Sequence, residues 1–261
     1  PVTVADFASQ ALICGALAKS FPQDPVVGEE SADALRRDPK LCERVTRYVH
    51  PSAEQVCAWI DRGTGEPAGR FWTVDPVDGT KGFLRREQYA IAVALIVDGR
   101  VAVGILGCPN LPAPDGSGRS GCLFLAERGR GTFLARGNEA VPLRVSDECL
   151  RFAESYEPMH GDAAAQEAIA RRAGLTEAPI RIDSQAKYAL VARGEAGALL
   201  RLPHPADPER RENIWDHAAG SILVEEAGGV VTDVDGRPLD FGRGKRLTAN
   251  RGLLAAAPAL H

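Results

Sequence analysis

The shortages in this sequence exclude several classes of protein. No apolar run approaches bilayer length. The longest, Tyr89 to Val97, falls far short of the roughly 20 residues that a spanning helix needs, so no membrane role is expected. Positive charge is not in surplus. The 31 Lys and Arg against 35 Asp and Glu leave a net charge of −4, and the chain carries no electrostatic footprint for a nucleic-acid polymer. The six cysteines (Cys14, Cys42, Cys57, Cys108, Cys122 and Cys149) form no C-x-x-C pair and no zinc-ligand spacing. Dispersed in this way they read as reduced thiols of an intracellular protein, cytoplasmic or organellar. Cys108 and Cys122 are an exception to watch, because they flank a Pro/Gly-rich loop that a hairpin would close, and a regulatory disulfide is one reading of them. No Ser-His-Asp or Cys-His arrangement is apparent, so nothing points to a covalent intermediate. There is no internal repeat, low-complexity tract or signal-peptide pattern. The sequence opens at Pro1 without a methionine, as a processed chain or a piece of a longer one does.

What is present is ordinary in bulk and unusual in one place. With 261 residues, 44% hydrophobic and 25% charged, the chain can make one large domain or two smaller ones sharing a cleft. The unusual place is Phe71-Trp72-Thr73-Val74-Asp75-Pro76-Val77-Asp78-Gly79-Thr80-Lys81-Gly82-Phe83. Aromatic and β-branched residues predict a buried strand over Phe71–Val74. Pro76 restricts Asp75 to extended backbone. Gly79 permits a sharp turn, and Thr80 reads as the N-cap of a following helix. Two carboxylates three positions apart on a stiff turn suit Mg²⁺, with the Val77 carbonyl available as a further ligand. N–H groups at a helix start suit an anion. Taken alone, the pattern is ordinarily an acidic turn.

The rest of the chain divides near residues 146 to 152, giving expected halves of 1–148 and 149–261. In the first half, Thr3 and Asp6 form a capping box ahead of a helix whose stripe is Val4, Phe7, Ala8, Ala11, Leu12 and Leu17. Val26 and Val27 make a short strand that ends at Gly28-Glu29-Glu30. Residues 32 to 53 show no clear period, and a helix then opens at Ser52. Asp98-Gly99 predicts a hairpin between Tyr89–Val97 and Val101–Leu106, with further strands at Cys122–Ala126, Gly131–Ala135 and Val141–Val145. The second half alternates: strands near Phe152, Ile180–Ile182, Ala198–Leu202 and Val230–Thr232, and helices over about 162–173, 184–193 and 214–227. The Ala/Pro-rich segment Leu253 to His261 is expected to be loose. The sum is an α+β half built on an antiparallel sheet and an α/β half, with a site between them.

Two segments far apart in sequence now combine. Trp72-x-x-Asp75-Pro76-x-Asp78-Gly79-Thr80 and Trp215-Asp216-x-x-Ala219-Gly220 together resemble the two signatures of the inositol monophosphatase-like, lithium-sensitive phosphatase superfamily. Within it the chain looks most like the 3′(2′),5′-bisphosphate nucleotidases. The stretches that carry this likeness are Pro1–Asp6, Asp78–Arg85, Gly107–Pro112 and Ile182–Tyr188, and the resemblance covers essentially the whole chain.

The resemblance implies a layered α/β sandwich of the inositol monophosphatase/fructose-1,6-bisphosphatase type. It implies two or three Mg²⁺ ions held by Glu29, Asp75, the Val77 carbonyl, Asp78 and Asp216. Asp6 and Thr80 then correspond to the catalytic pair, with the Thr80 hydroxyl bonded to Asp6 and orienting the attacking water. Thr80, His160, Ser184, Lys187, Arg201 and Asp216 fall on substrate-contact positions. Ser184 and Lys187 are expected on one helical face, and Lys187 and Arg201 supply charge for a second phosphate that is not cleaved. The implied reaction is lithium-sensitive hydrolysis of the 3′-phosphate of adenosine 3′,5′-bisphosphate, with 3′-phosphoadenylyl sulfate as a further substrate, by a monomer acting in sulfur metabolism. An inositol polyphosphate 1-phosphatase is the neighbouring alternative. A non-catalytic sensor of phosphorylated metabolites is the alternative of another class. The family often has a second histidine shortly after the position of His160, where Gly161 and Asp162 stand here, and often a glycine at the position of Arg86.

Overall fold

The computed structural model describes residues 1–156, 163–203 and 205–261. Two sheets organise it. The first is seven-stranded, in the order β1 (Val26–Gly28), β2 (Arg70–Asp78), β3 (Ala90–Val97), β4 (Arg100–Pro112), β5 (Ser120–Glu127), β6 (Gly131–Arg136) and β7 (Glu139–Pro142). β1 pairs parallel with β2, and every later neighbour is antiparallel. The second is five-stranded, built from β8 (Phe152–Glu154), β9 (Ile180–Arg181), β10 (Ala198–Arg201), β11 (Val230–Thr232) and β12 (Leu253–Ala256), in the order β11-β12-β10-β8-β9.

Helices fill three layers around these sheets. On the outer face of the first sheet lies α1 (Val4–Ser20), whose Cys14 and Leu17 pack on Trp72, Val74, Val93 and Leu95. Behind α1 stand α2 (Asp33–Arg37), α3 (Pro39–Val49) and α4 (Ala53–Asp61), around a core of Phe7, Leu35, Val45, Val56 and Ile60. Between the sheets run α7 (Ala186–Ala192) and α8 (Ala218–Glu226), and here the largest core joins Phe71, Leu106 and Phe124 of the first sheet to Leu199 and Leu253 of the second. Each such large apolar side chain contributes on the order of 1.5–3 kcal/mol by leaving water. α6 (Ala163–Arg172) closes the outer face of the second sheet, where Ala170 meets Phe152, Ala198 and Ala256. The result is the layered α/β architecture expected.

Local signals worked where the chemistry was short-range. Thr3 and Asp6 form the predicted capping box. Asp98 and Gly99 take φ values of 49° and 76° and turn the β3–β4 hairpin as predicted. Three expectations are corrected. Residues 33–49 are largely helical: Asp38 caps α3, Pro39 follows it, and Leu35, Cys42, Val45 and Val49 face inward, the last three at helical spacing. Leu253–Ala256 is not loose. It is the buried strand β12, paired on both sides, and its alanines fit where helices pack closely on both faces of the sheet. In α1 the stripe also differs, because Leu12 is 53% exposed while Gln10 is fully buried. Cys108 and Cys122 stand opposite each other in the β4–β5 register, both as free thiols.

Candidate active site

β2 brings the first ligands. Asp75 and Asp78 end the strand, separated by a register shift against β3. Gly79, at φ 84°, turns the chain into the short helix α5 (Thr80–Leu84). Gly79 is therefore the cap and Thr80 the first helical residue, a one-position correction. The Thr80 hydroxyl donates to the Val77 carbonyl at 3.1 Å. The Val77 N–H in turn donates to Asp75 at 3.2 Å. The parallel pairing of Gly28 with Val74 sets Glu29 beside Asp75, and the Glu29 N–H donates to the Val74 carbonyl at 3.2 Å.

Asp216 arrives from the other side of the cleft. It lies in the turn before α8 rather than within the helix, and Asn213 donates to it at 3.3 Å. The Gln185 backbone N–H donates to Asp78 at 2.5 Å. Glu29, Asp78 and Asp216 line a common cleft of about 380 Å³ with Thr80, Ser184, Lys187, Arg201 and Arg210. Asp75 is buried behind Asp78 on β2 and does not line the cleft.

Electrostatics show these carboxylates acting on one another. Burial, and then the negative charges of Asp216, Glu30 and Asp78, push Glu29 up to about 8. Burial and Asp216 push Asp78 up to about 6, against the opposing pull of Lys187. Asp75 is driven well above the carboxylate range by burial and its acidic neighbours, and it shares a hydrogen bond with Glu29. Asp216 is raised as well, chiefly by burial. An oxygen-only donor set under this mutual repulsion fits hard divalent cations. Glu212, Asp216 and His217 also bring ligand atoms within 4.8 Å of one another. Glu212 and His217 are already engaged, however. Arg201 pairs with Glu212 at 2.9 Å, and Tyr188 hydrogen-bonds His217 Nδ1 at 2.8 Å. Burial opposes ionisation of Glu212, but His217 and Arg201 outweigh it and hold that carboxyl well below its usual range.

The cleft also holds cationic side chains. Lys187 Nζ donates to the carbonyls of Ser184 at 2.9 Å and Ile182 at 3.5 Å. Burial lowers its pKa to about 8, partly offset by Asp78. Ser184 is not on the helix. It precedes α7 in a left-handed conformation, φ 71°, so Ser184 and Lys187 approach the cleft from a turn and a helix rather than from one face. Arg201 ends β10.

Asp6 is buried in the first turn of α1, and its proton affinity is raised by burial, but its partner is Thr3, whose hydroxyl and N–H donate at 2.6 and 2.8 Å. The expected bond from Thr80 to Asp6 is replaced by the one to Val77. His160 lies outside the described residues. Arg86 takes φ 60°, the backbone that a glycine would adopt without strain. Sequence reasoning missed Gln10, Gln185, Tyr188, Glu212 and His217. A signal existed for Gln10, a polar residue three places after Phe7 and four before Cys14 in an apolar stripe.

Comparison with known proteins identifies the family of the chain. The inositol monophosphatase family profile matches residues 1–261, and the chain belongs to that family. A Schizosaccharomyces pombe protein named 3′(2′),5′-bisphosphate nucleotidase is 44% identical over 98% of this chain and 80% of its own length. One of the same name from Emericella nidulans is 41% identical over 100% and 85%. Among solved structures, a Thermotoga maritima IMPase superposes with a TM-score of 0.64 at 22% identity, covering 97% of this chain and 76% of its own. The Staphylococcus aureus IMPase-II with bound 2′AMP does so with 0.64 at 21%, covering 100% and 81%.

Proposed function

We propose that the chain is a phosphomonoesterase that hydrolyses the 3′-phosphate of adenosine 3′,5′-bisphosphate to AMP and phosphate, and that it also accepts 3′-phosphoadenylyl sulfate. The observation that carries the reading is one cleft that brings the carboxylates Glu29, Asp78 and Asp216 together with Lys187, Arg201 and Arg210. That pairing suits a substrate bearing one phosphate to be cleaved and a second to be held. The names of the relatives from S. pombe and E. nidulans support the nucleotide.

Glu29, Asp75, the Val77 carbonyl, Asp78 and Asp216 are the groups that would hold two or three Mg²⁺. When bound, Mg²⁺ supplies charge neutralisation for the phosphoryl oxygens and a lowered pKa for water. The chain's own residues do the rest. Thr80 presents its hydroxyl at the start of α5, beside backbone N–H groups that suit the phosphoryl oxygens. It orients the attacking water. Asp6 takes the proton after exchanging its bond to Thr3 for one toward Thr80. Lys187 and Arg201, with Ser184 and His160, hold the remaining phosphate and nucleoside. On this reading residues 1–148 cleave and residues 149–261 select, Asp216 serving both.

The test is phosphate release from adenosine 3′,5′-bisphosphate, inositol 1,4-bisphosphate and fructose 1,6-bisphosphate, each with and without Mg²⁺ and Li⁺. The expected outcome is preference for the nucleotide, dependence on Mg²⁺ and inhibition by Li⁺. Preference for the inositol substrate would reassign the enzyme to inositol polyphosphates. Binding without turnover of any of them would make it a sensor.

A further inference from the structure

Two buried glutamines bind backbone next to two of the cleft carboxylates. Gln10 is fully buried on α1, and its side-chain amide is used at both ends. Nε2 donates to the carbonyl of Glu30 at 2.6 Å and to that of Ile60, near the end of α4, at 3.2 Å. Oε1 accepts from the Glu30 N–H at 3.0 Å. The amide thus closes a ring on the residue next to Glu29, as a neighbouring strand would. Space has been left for it: a Cβ on Gly28 would lie 2.8 Å from Gln10 Oε1, and one on Gly63 would lie 2.6 Å from Nε2.

Gln185 repeats the arrangement. It is 1% exposed. Its Nε2 donates to the Trp215 carbonyl at 2.9 Å, its Oε1 accepts from the Gly220 N–H at 3.0 Å, and its own backbone N–H donates to Asp78 at 2.5 Å. The residues it grips lie on either side of Asp216.

We propose that Gln10 and Gln185 are paired positioning residues that fix the outlying carboxylates, Glu29 and Asp216, at cation-binding distance from the rigid strand end carrying Asp75 and Asp78. β2 holds its two carboxylates by strand pairing. Glu29 and Asp216 follow a strand end and sit in a turn, where backbone is free to drift, and a buried amide that satisfies both a donor and an acceptor removes that freedom. Both side-chain amides are taken up by backbone partners. The inference rests on the metal reading given above.

The test measures Mn²⁺ binding by electron paramagnetic resonance, with thermal unfolding recorded in parallel, on the full chain. Gln10→Met and Gln185→Met keep the volume and remove the hydrogen bonds, and each should weaken Mn²⁺ affinity by roughly 10–100-fold. Val45→Ala, in the core beneath α1 and away from the cleft, should lower the melting temperature without moving the affinity. If Gln10→Met does not fold, Gly63→Ala, which presses on the same amide, replaces it with the same expected direction. Affinities in the glutamine variants within twofold of wild type, while Asp75→Asn abolishes binding, overturn the clamps alone. Binding unchanged in Asp75→Asn overturns the metal reading and the clamps with it.

Discussion

On the first-sheet side of the cleft, Glu29, Asp75 and Asp78 come from the ends of two adjacent paired strands, whereas on the other side Lys187, Arg201 and Arg210 come from a helix, a strand end and a loop. The first wall concentrates like charge and is rigid because the β2 backbone is paired with β1 on one side and β3 on the other. The second spreads its charge, and holds two of its cations by local acceptors: Ser184 and Ile182 carbonyls for Lys187, the Glu212 carboxylate for Arg201. Concentrated repulsion creates demand for a small multivalent ion, while dispersed and already compensated cations suit a flexible organic phosphate.

That contrast can be broken from either side. The largest effect is expected at the rigid wall. Asp75→Asn should reduce turnover by roughly 10³-fold, measured as phosphate release at saturating Mg²⁺. Next comes the layer joining the walls. Leu223 is fully buried on α8 between the sheets, and Leu223→Ala should cost about 3 kcal/mol in urea unfolding. A single transition by tryptophan fluorescence and circular dichroism is expected. Two transitions would show the halves to be independent. Lys187→Met should raise KM for a bisphosphate by roughly 30-fold, about 2 kcal/mol, with little change for a monophosphate. An equal loss on both would remove Lys187 from second-phosphate binding. The smallest effect is in pH. The Lys187 pKa is lowered to about 8, so its charge is complete below that value and is lost above it. On the bisphosphate, kcat/KM should therefore fall as pH rises through 8, by up to about tenfold per unit. Lys187→Arg, which keeps its charge, should flatten this limb.

The two walls also differed in how far they could be read from sequence. The strand and turn that carry Asp75 and Asp78 were legible because the determinants are contiguous: strand, proline, carboxylate, glycine, hydroxyl. Asp216 and Glu29 were legible only through resemblance, since nothing local says that a turn before α8 and a strand end at Gly28 will meet. The pairing of Arg201 with Glu212 was not legible, because it depends on the path of the intervening loop. Gln10 and Gln185 escaped because a lone glutamine in a helical pattern is normally a surface residue, and only its buried position reveals a role. The strand at Leu253–Ala256 escaped for the opposite reason: small residues carry a weak strand signal, yet small size is what a strand between two packed layers requires.

The position of that strand has a consequence for synthesis. β12 lies between β10 and β11, and so completes the second sheet only after residue 256 has been made. At roughly 5–20 residues per second, the hairpins from β2 to β7 have seconds in which to pair before then. The side of the cleft that carries Lys187 and Arg201 is thus the last whose shape is decided during translation. A chain released before that point would leave the edges of β10 and β11 bare, where a second nascent chain can add to them.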